Sequence, residues 1–291
     1  MSDDNTVHAT IRAPVERFEK MIRQSSLRGD VEHDDIYLNI LPDKVQVLQS
    51  VPGEVVLTYC TFDEDFFDEI EVEREVREET TENSDGEEIK FEVGAEAILN
   101  VEDTSTYLGF ASDGGTVELE FTGTTERRLS TFVRANGALE TWVKLPGSQD
   151  VLDSIPYWLP LRFSDNDVYT NTKGDEAPTQ VETNISKINT IISAVKEDRE
   201  AEFYPISIEG GDFRINVGDS QRSGVQGTLG AKSVEGPDVD NYYFDGFEEI
   251  FEVLSGKVSL QTAPGGNPLS VVQKGEEGRT IRHINGAVDN S

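Results

Sequence analysis

The fold is decided by residues 240–288, DNYYFDGFEEIFEVLSGKVSLQTAPGGNPLSVVQKGEEGRTIRHINGAV. Phe247, Ile250, Phe251 and Leu254 recur at i, i+3, i+4 and i+7, which puts them on one face of a short helix. Gly256 follows as the residue that can end a helix in the left-handed region without a Cβ penalty. Three alternating apolar runs come next: Lys257 to Thr262, Leu269 to Lys274 after the Ala-Pro-Gly-Gly-Asn-Pro turn, and Thr280 to Ile284 after Gly-Glu-Glu-Gly. A helix followed by a meander of antiparallel strands is one layer of a helix-on-sheet packing.

The same plan occurs at residues 97–145, where a helix over Val101 to Ala111 precedes strands at Val117 to Phe121, Arg128 to Ala135 and Ala138 to Leu145. It also opens both halves of the chain. Val7 to Ile11 alternates as a strand, and Ala13-Pro14 leads into a helix with Val15, Phe18, Met21, Ile22 and Ser25 on one side. In the second half Asn184 caps a helix that buries Ile185, Ile188, Ile191, Ile192 and Val195. The chain is therefore read as α+β, with one supersecondary unit repeated. Its parts are residues 1–146, a connecting loop over 147–157, and residues 158–291.

Between these helices the sequence predicts strands at Ile36 to Ile40, Lys44 to Ser50, Val55 to Phe62, Phe203 to Ile208, Asp212 to Val217 and Gly224 to Leu229. Trp158 to Phe163 is read as a further strand, residues 164–181 as a polar inserted loop, and Ile70 to Val76 with Ile89 to Val93 as an extended hairpin. Residues 63–92 carry 15 acidic against three basic side chains, so that hairpin is expected to be a solvated projection.

With 57 Asp and Glu against 25 Lys and Arg, the net charge is −32. Acid spread this evenly suits a protein dissolved in molar salt, where the screening length falls to about 3 Å and self-repulsion costs little. The single Cys60 excludes an intrachain disulfide, and no 18-residue apolar run or basic, apolar N-terminal signal is present. A cytoplasmic protein without a membrane segment is expected. Catalysis finds no footing: His8, His33 and His283 are scattered, no metal-ligand pair is spaced for coordination, and Ala231 breaks the Gly-Lys adjacency that a phosphate loop needs in Gly230-Ala-Lys-Ser233. No enzyme activity, cofactor or metal is expected.

On the first helix Arg17, Lys20, Gln24 and Arg28 fall within a narrow sector, flanked by Arg23. The plain reading of such a stripe is a solvated face with local ion pairs to Glu16 and Glu19. On the third helix Lys187 stands two residues after Ile185, as Arg17 stands two after Val15.

In the order and spacing of four segments the chain resembles the sliding clamps of the proliferating cell nuclear antigen family, over nearly its full length. The segments are Asn267-Pro-Leu-Ser-Val-Val272 through Arg282-His-Ile-Asn-Gly-Ala-Val288, Lys44-Val-Gln-Val-Leu-Gln-Ser50 with Val55-Val-Leu-Thr58, Ala97-Ile-Leu-Asn-Val101, and Leu152-Asp-Ser-Ile-Pro156. The resemblance implies two clamp domains, with antiparallel sheets outside and two helices each lining the inner face of a homotrimeric ring around double-stranded DNA. It gives the basic stripe a role: Arg17, Lys20, Arg23, Arg28 and Lys187 would face the hole and touch phosphates rather than bases. Residues 138–145 of one subunit would pair with residues 224–229 of the next. DNA polymerase, clamp loader and other partners would insert a short aromatic-anchored peptide at Ser50, Val51, Leu152, Ile155, Pro156, Tyr157, Pro268, Asn285, Gly286, Ala287 and Val288.

Two departures stand beside the likeness. The second helix offers Thr106 and Gly109, and the fourth Asp245 and Glu252, where the family carries bases. The hairpin at 70–93 and the loop at 164–181 exceed the family pattern. A processivity factor of a halophilic archaeon or its virus is the leading expectation, acting in the cytoplasm or, if viral, inside the host cell. The alternatives are a structural or virion ring protein without DNA, a subunit of a mixed ring, or a monomeric clamp-like factor.

Overall fold

A computed structural model describes residues 6–26, 35–50, 56–82, 88–109, 114–123, 130–136, 141–145, 159–171, 173–196, 203–210, 212–219, 223–229, 233–244 and 247–287. The chain divides into two compact units. The first is Met1–Pro52, Thr58–Trp158 and Gly275–Ile281, and the second is Gly53–Leu57, Leu159–Lys274 and Arg282–Ser291.

In the first unit β1 (Thr6–Pro14) runs into α1 (Val15–Ser25), and β2 (Asp35–Leu41), β3 (Lys44–Ser50) and β4 (Val56–Asp63) follow. Next come β5 (Glu69–Val72), β6 (Arg77–Glu82), β7 (Glu88–Val93), β8 (Ala95–Asn100) and α2 (Val101–Leu108), then β9 (Thr116–Gly123), β10 (Ser130–Asn136) and β11 (Thr141–Leu145). One sheet has the order β11-β10-β9-β1-β5, another run has β4-β3-β2-β8, and β6 and β7 form a separate ribbon. Val15, Phe18, Met21 and Ile22 of α1 are buried as the periodicity requires, and Phe18, Phe62, Phe66 and Phe67 continue the core as a chain of tilted rings. Cys60 on β4 is fully buried, its S–H directed at the Gln24 carbonyl 3.8 Å away. α2 is capped by Asn100, whose side chain accepts from Asp103 N at 2.9 Å.

The acidic hairpin differs from its expected form. The run after Ile70 serves two sheets: β5 pairs with β1 (Ile11↔Ile70, Ala9↔Val72), and the chain then breaks so that β6 can pair with β7. The ribbon's base is fixed by side chains. Arg77 Nη2 donates to Glu96 Oε2 at 2.7 Å, Tyr37 donates to Glu96 Oε1 at 2.8 Å, and Asn39 reaches the Glu92 carbonyl at 2.9 Å. Gly94 sits where a Cβ would fall 2.0 Å from the Ile40 carbonyl oxygen, so only glycine lets β8 leave the ribbon there.

In the second unit β12 (Thr179–Asn184) leads into α3 (Ile185–Lys196), followed by β13 (Phe203–Glu209), β14 (Asp212–Asp219), β15 (Ser223–Leu229), β16 (Ser233–Glu235) and β17 (Val239–Phe244). Then come α4 (Phe247–Val253), β18 (Lys257–Thr262), β19 (Leu269–Lys274) and β20 (Arg279–Asn285). Strand order is β15-β14-β13-β17 in one sheet and β16-β12-β18-β19-β20 in another run. Ile185, Ile188, Ile191 and Ile192 of α3, and Ile250 and Phe251 of α4, fill the core between helix and sheet. Gly256 has φ +80, as its place after α4 requires, and its carbonyl accepts from Ile185 N at 2.8 Å.

Two expectations fail here. Where a strand was expected up to Phe163, Leu159–Arg162 is a 3₁₀ turn, because Pro160 has no N–H for a ladder and a fixed φ that suits the turn's start. The segment taken as a polar loop ends in β12, with bridges Phe163↔Tyr169 and Thr170↔Glu176 inside it. The Asp-rich stretch before Tyr242 is β17, which alternates Val239, Asn241 and Tyr243 inward and Asp240 outward.

Residues 159–178 fold as a plate over one face of β18. Gln261 takes Tyr169 N at 2.8 Å and donates to the Asp167 carbonyl at 3.0 Å. Asp167, at φ 63, is clamped between Lys274 Nζ (2.8 Å) and the guanidinium of Arg282, which also lies 5.4 Å over the Phe163 ring. Among the described residues no helix is long and apolar enough to cross a membrane.

Candidate nucleic-acid interface

The basic side of α1 is built by one helix and one turn. Glu16 does not pair within its helix: its carboxylate accepts from Gly114 N at 3.1 Å. Arg17 turns instead to distant chain, donating to the Phe66 carbonyl (2.9 Å) and pairing with Glu277 (3.2 Å). The expected local pairs to Glu16 and Glu19 are therefore replaced, for Arg17, by a tie to the 275–279 turn. Lys20 is half-buried. Its ammonium is pushed down, first by burial and then by the charge of Arg279, against the opposing pull of Glu277 and Glu276. Arg23 is exposed, and Arg28 lies outside the described residues.

Arg279 is the residue that sequence reasoning passed over. It is 7% exposed, its guanidinium lies against Gly275, and its Nε and Nη1 have no hydrogen-bond partner. Burial lowers its pKa as well. A lone Arg in a strand of alternating pattern gave no sign that it would be drawn inside.

On α3 Lys187 is exposed in the first turn, behind the Asn184 cap, whose Oδ1 accepts from Ser186 N at 3.0 Å. The outward positions of the other two helices carry no base among the described residues: Glu102, Asp103, Ser105 and Thr106 on α2, and Glu252 on α4, are exposed.

Of the residues expected to receive a partner peptide, Val51, Leu152, Ile155, Pro156, Tyr157 and Val288 lie outside the described residues. In the first unit Ser50 ends β3, half-buried. In the second, Pro268 and Ala287 are half-buried and Gly286 is buried. Ala287 bridges to Tyr243, whose hydroxyl shares a 2.8 Å hydrogen bond with Thr262. Asn241 holds the turn before Pro268 by donating to the Ala263 carbonyl and accepting from Gly266 N. Asn285 differs from expectation: it is fully buried, so its side chain belongs to the core rather than to an exposed pocket wall.

β11 ends the order of its five-stranded sheet and β15 ends that of its four-stranded sheet. Among the described residues each pairs on one side only, β11 with β10 and β15 with β14. Such edges are open to another chain.

The chain has the DNA clamp fold. Proliferating cell nuclear antigen (PCNA) of Thermococcus kodakaraensis superposes with a TM-score of 0.66 at 14% identity, covering 96% of this chain and 100% of that one. PCNA of A. fulgidus, solved with the C-terminal region of FEN-1 bound, gives 0.68 at 12% identity, covering 97% and 99%. The PCNA2–PCNA3 complex of Sulfolobus tokodaii gives 0.65 at 14% identity, covering 96% and 98%. No protein-family model matches the sequence, and no curated protein does.

Proposed function

We propose that this chain is a DNA sliding clamp, a non-catalytic processivity factor that closes into a homotrimeric ring around duplex DNA and recruits a polymerase and a clamp loader. The observation that carries the reading is the clamp fold with β11 at an end of its sheet in one unit and β15 at an end of its sheet in the other. Paired head to tail, these two edges would cover each other and close a ring by rotation. Lys20, Arg23 and Lys187, with Arg28, would meet DNA phosphates. Arg17 would act mainly as a tie to Glu277, and the peptide site would lie around residues 152–157, Ser50, Pro268 and the tail. The net charge of −32 supports a working environment of concentrated salt inside a halophile or, for a viral protein, inside its host.

The test is mass in molar potassium chloride. A value near three times 32.3 kDa supports the ring, and retention on nicked circular but not on linear DNA supports encirclement. Lys20→Glu, Arg23→Glu and Lys187→Glu combined should abolish polymerase stimulation at low salt while leaving ring size unchanged. A monomer at all concentrations would sink the ring. A second reading, a structural or virion ring that does not hold DNA, draws on the exposed carboxylates of α2 and α4 and on the engagement of Arg17 by Glu277. Full activity of the triple variant on every template would favour it.

A further inference from the structure

The second unit holds a cavity of about 510 Å³ between the lip of the plate, residues 166–168, and the strands β12, β18 and β19. Its place follows from register. Glu182 pairs with Ser259 and Ser259 with Val272, while Asn184 pairs with Lys257, so short and polar side chains line a trough across three strands. The lip is held over this trough by Gln261 and by the Asp167 clamp. The first turn of α3 adds Lys187 at one side.

Charge in this cavity runs against the rest of the molecule. Lys187, Lys257 and Lys274 are three of the chain's ten lysines, in a sequence where acids outnumber bases 57 to 25. Two carboxylates share the lining, Asp167 and Glu182, and Asp167 is met both by Lys274 and, from beneath, by Arg282, whose side chain is 8% exposed. Lys257 makes no ion pair among the described residues and is exposed to the trough. Thr183, 5% exposed, also lines the cavity, and its hydroxyl has no hydrogen-bond partner among the described residues. A buried hydroxyl without a partner is unfavourable unless a ligand or water completes it.

We propose that this cavity binds a small phosphate-bearing anion, with the Lys187, Lys257 and Lys274 ammoniums around the phosphate and the Thr183 hydroxyl as an added donor. The volume lies in the range of small-molecule sites and is far larger than a halide needs. Lysine serves phosphate as a mobile point charge, which suits a site assembled from a helix and two strands. The inference shares Lys187 with the proposed DNA face, and Lys257 and Thr183, which that reading does not use, separate the two.

Calorimetric titration of the whole chain with potassium pyrophosphate tests it. Saturable binding is expected, at least about tenfold weaker in Lys257→Met and weaker in Thr183→Val, with unfolding midpoints unchanged. A short DNA duplex that displaces pyrophosphate would identify the anion as a backbone phosphate, and failure to displace it would identify a free one. Absence of binding at about 10 mM pyrophosphate, or equal affinity in both variants, would overturn the proposal.

Discussion

The ribbon β6–β7 and the plate over residues 159–178 are held in opposite ways. The ribbon pairs six residues with six, from Arg77↔Val93 to Glu82↔Glu88, so it is held along its length by its own ladder. Among the described residues the plate has two isolated bridges and a few local backbone hydrogen bonds, and it is tied down by side chains: Gln261, Asp167, Arg282 and Lys274. A ladder distributes the work over many small contacts, whereas a clamp concentrates it in one ion group. The plate should therefore fail at a single substitution, and the ribbon only at its base.

The largest effect is expected from Asp167→Ala. It leaves the Arg282 guanidinium nearly buried without its carboxylate, and removing one partner of such a pair costs about 3–5 kcal/mol. Urea unfolding of the variant would measure it, and a loss below about 1 kcal/mol would show that the plate is held elsewhere. Next, Arg77→Met at the ribbon's base takes a charged donor from Glu96, 5% exposed, while leaving the Tyr37 hydroxyl on its other oxygen. The expected loss is about 1–3 kcal/mol. A plate more tolerant than the ribbon would reverse the comparison.

A smaller, diagnostic effect is the pH dependence of the plate. Burial alone would raise the Asp167 carboxyl, but hydrogen bonds from Lys274 and Arg282 outweigh it and hold it below the usual carboxylate range. A depressed folded value means the contribution is complete above the unfolded value of about 3.9 and is lost as pH falls through the folded one. The stability gap between wild type and Asp167→Asn should thus be constant near neutrality and narrow below about pH 4. A gap independent of pH down to acid unfolding would refute the assignment. The smallest effect belongs to Lys90→Ala. It breaks an exposed pair with Glu78 on the ribbon, both side chains more than half exposed, and should move stability by no more than about 0.5 kcal/mol.

How much of this was legible in the sequence depends on the range of the interaction. The helices were readable because their buried faces repeat every 3.6 residues, and Phe18, Ile188 and Phe251 sit where that period puts them. The strands that the resemblance singled out, β11 and β15, each end a sheet. What local pattern could not show was partners far along the chain. Arg17 chooses Glu277, 260 positions away, over the glutamates beside it. Arg279 goes inward although its strand neighbours give no cue. Pro160 converts an aromatic, apolar run into a 3₁₀ turn, and β17 hides behind aspartates that face solvent. The exposed cations Arg23 and Lys187 lie where their helices' spacing placed them, while the buried Asn285 shows the limit of carrying a site over by position alone.

Cys60 gives the molecule a practical property. Its thiol is fully enclosed beneath α1, directed at the Gln24 carbonyl, so a maleimide dye has no route to it while the fold is intact. It is also the chain's sole cysteine. A thiol introduced on the exposed ribbon, at Lys90 for instance, would then be the single addressable position of each chain. One fluorophore per chain, with no background from the native sulfur, turns subunit stoichiometry into a count of photobleaching steps.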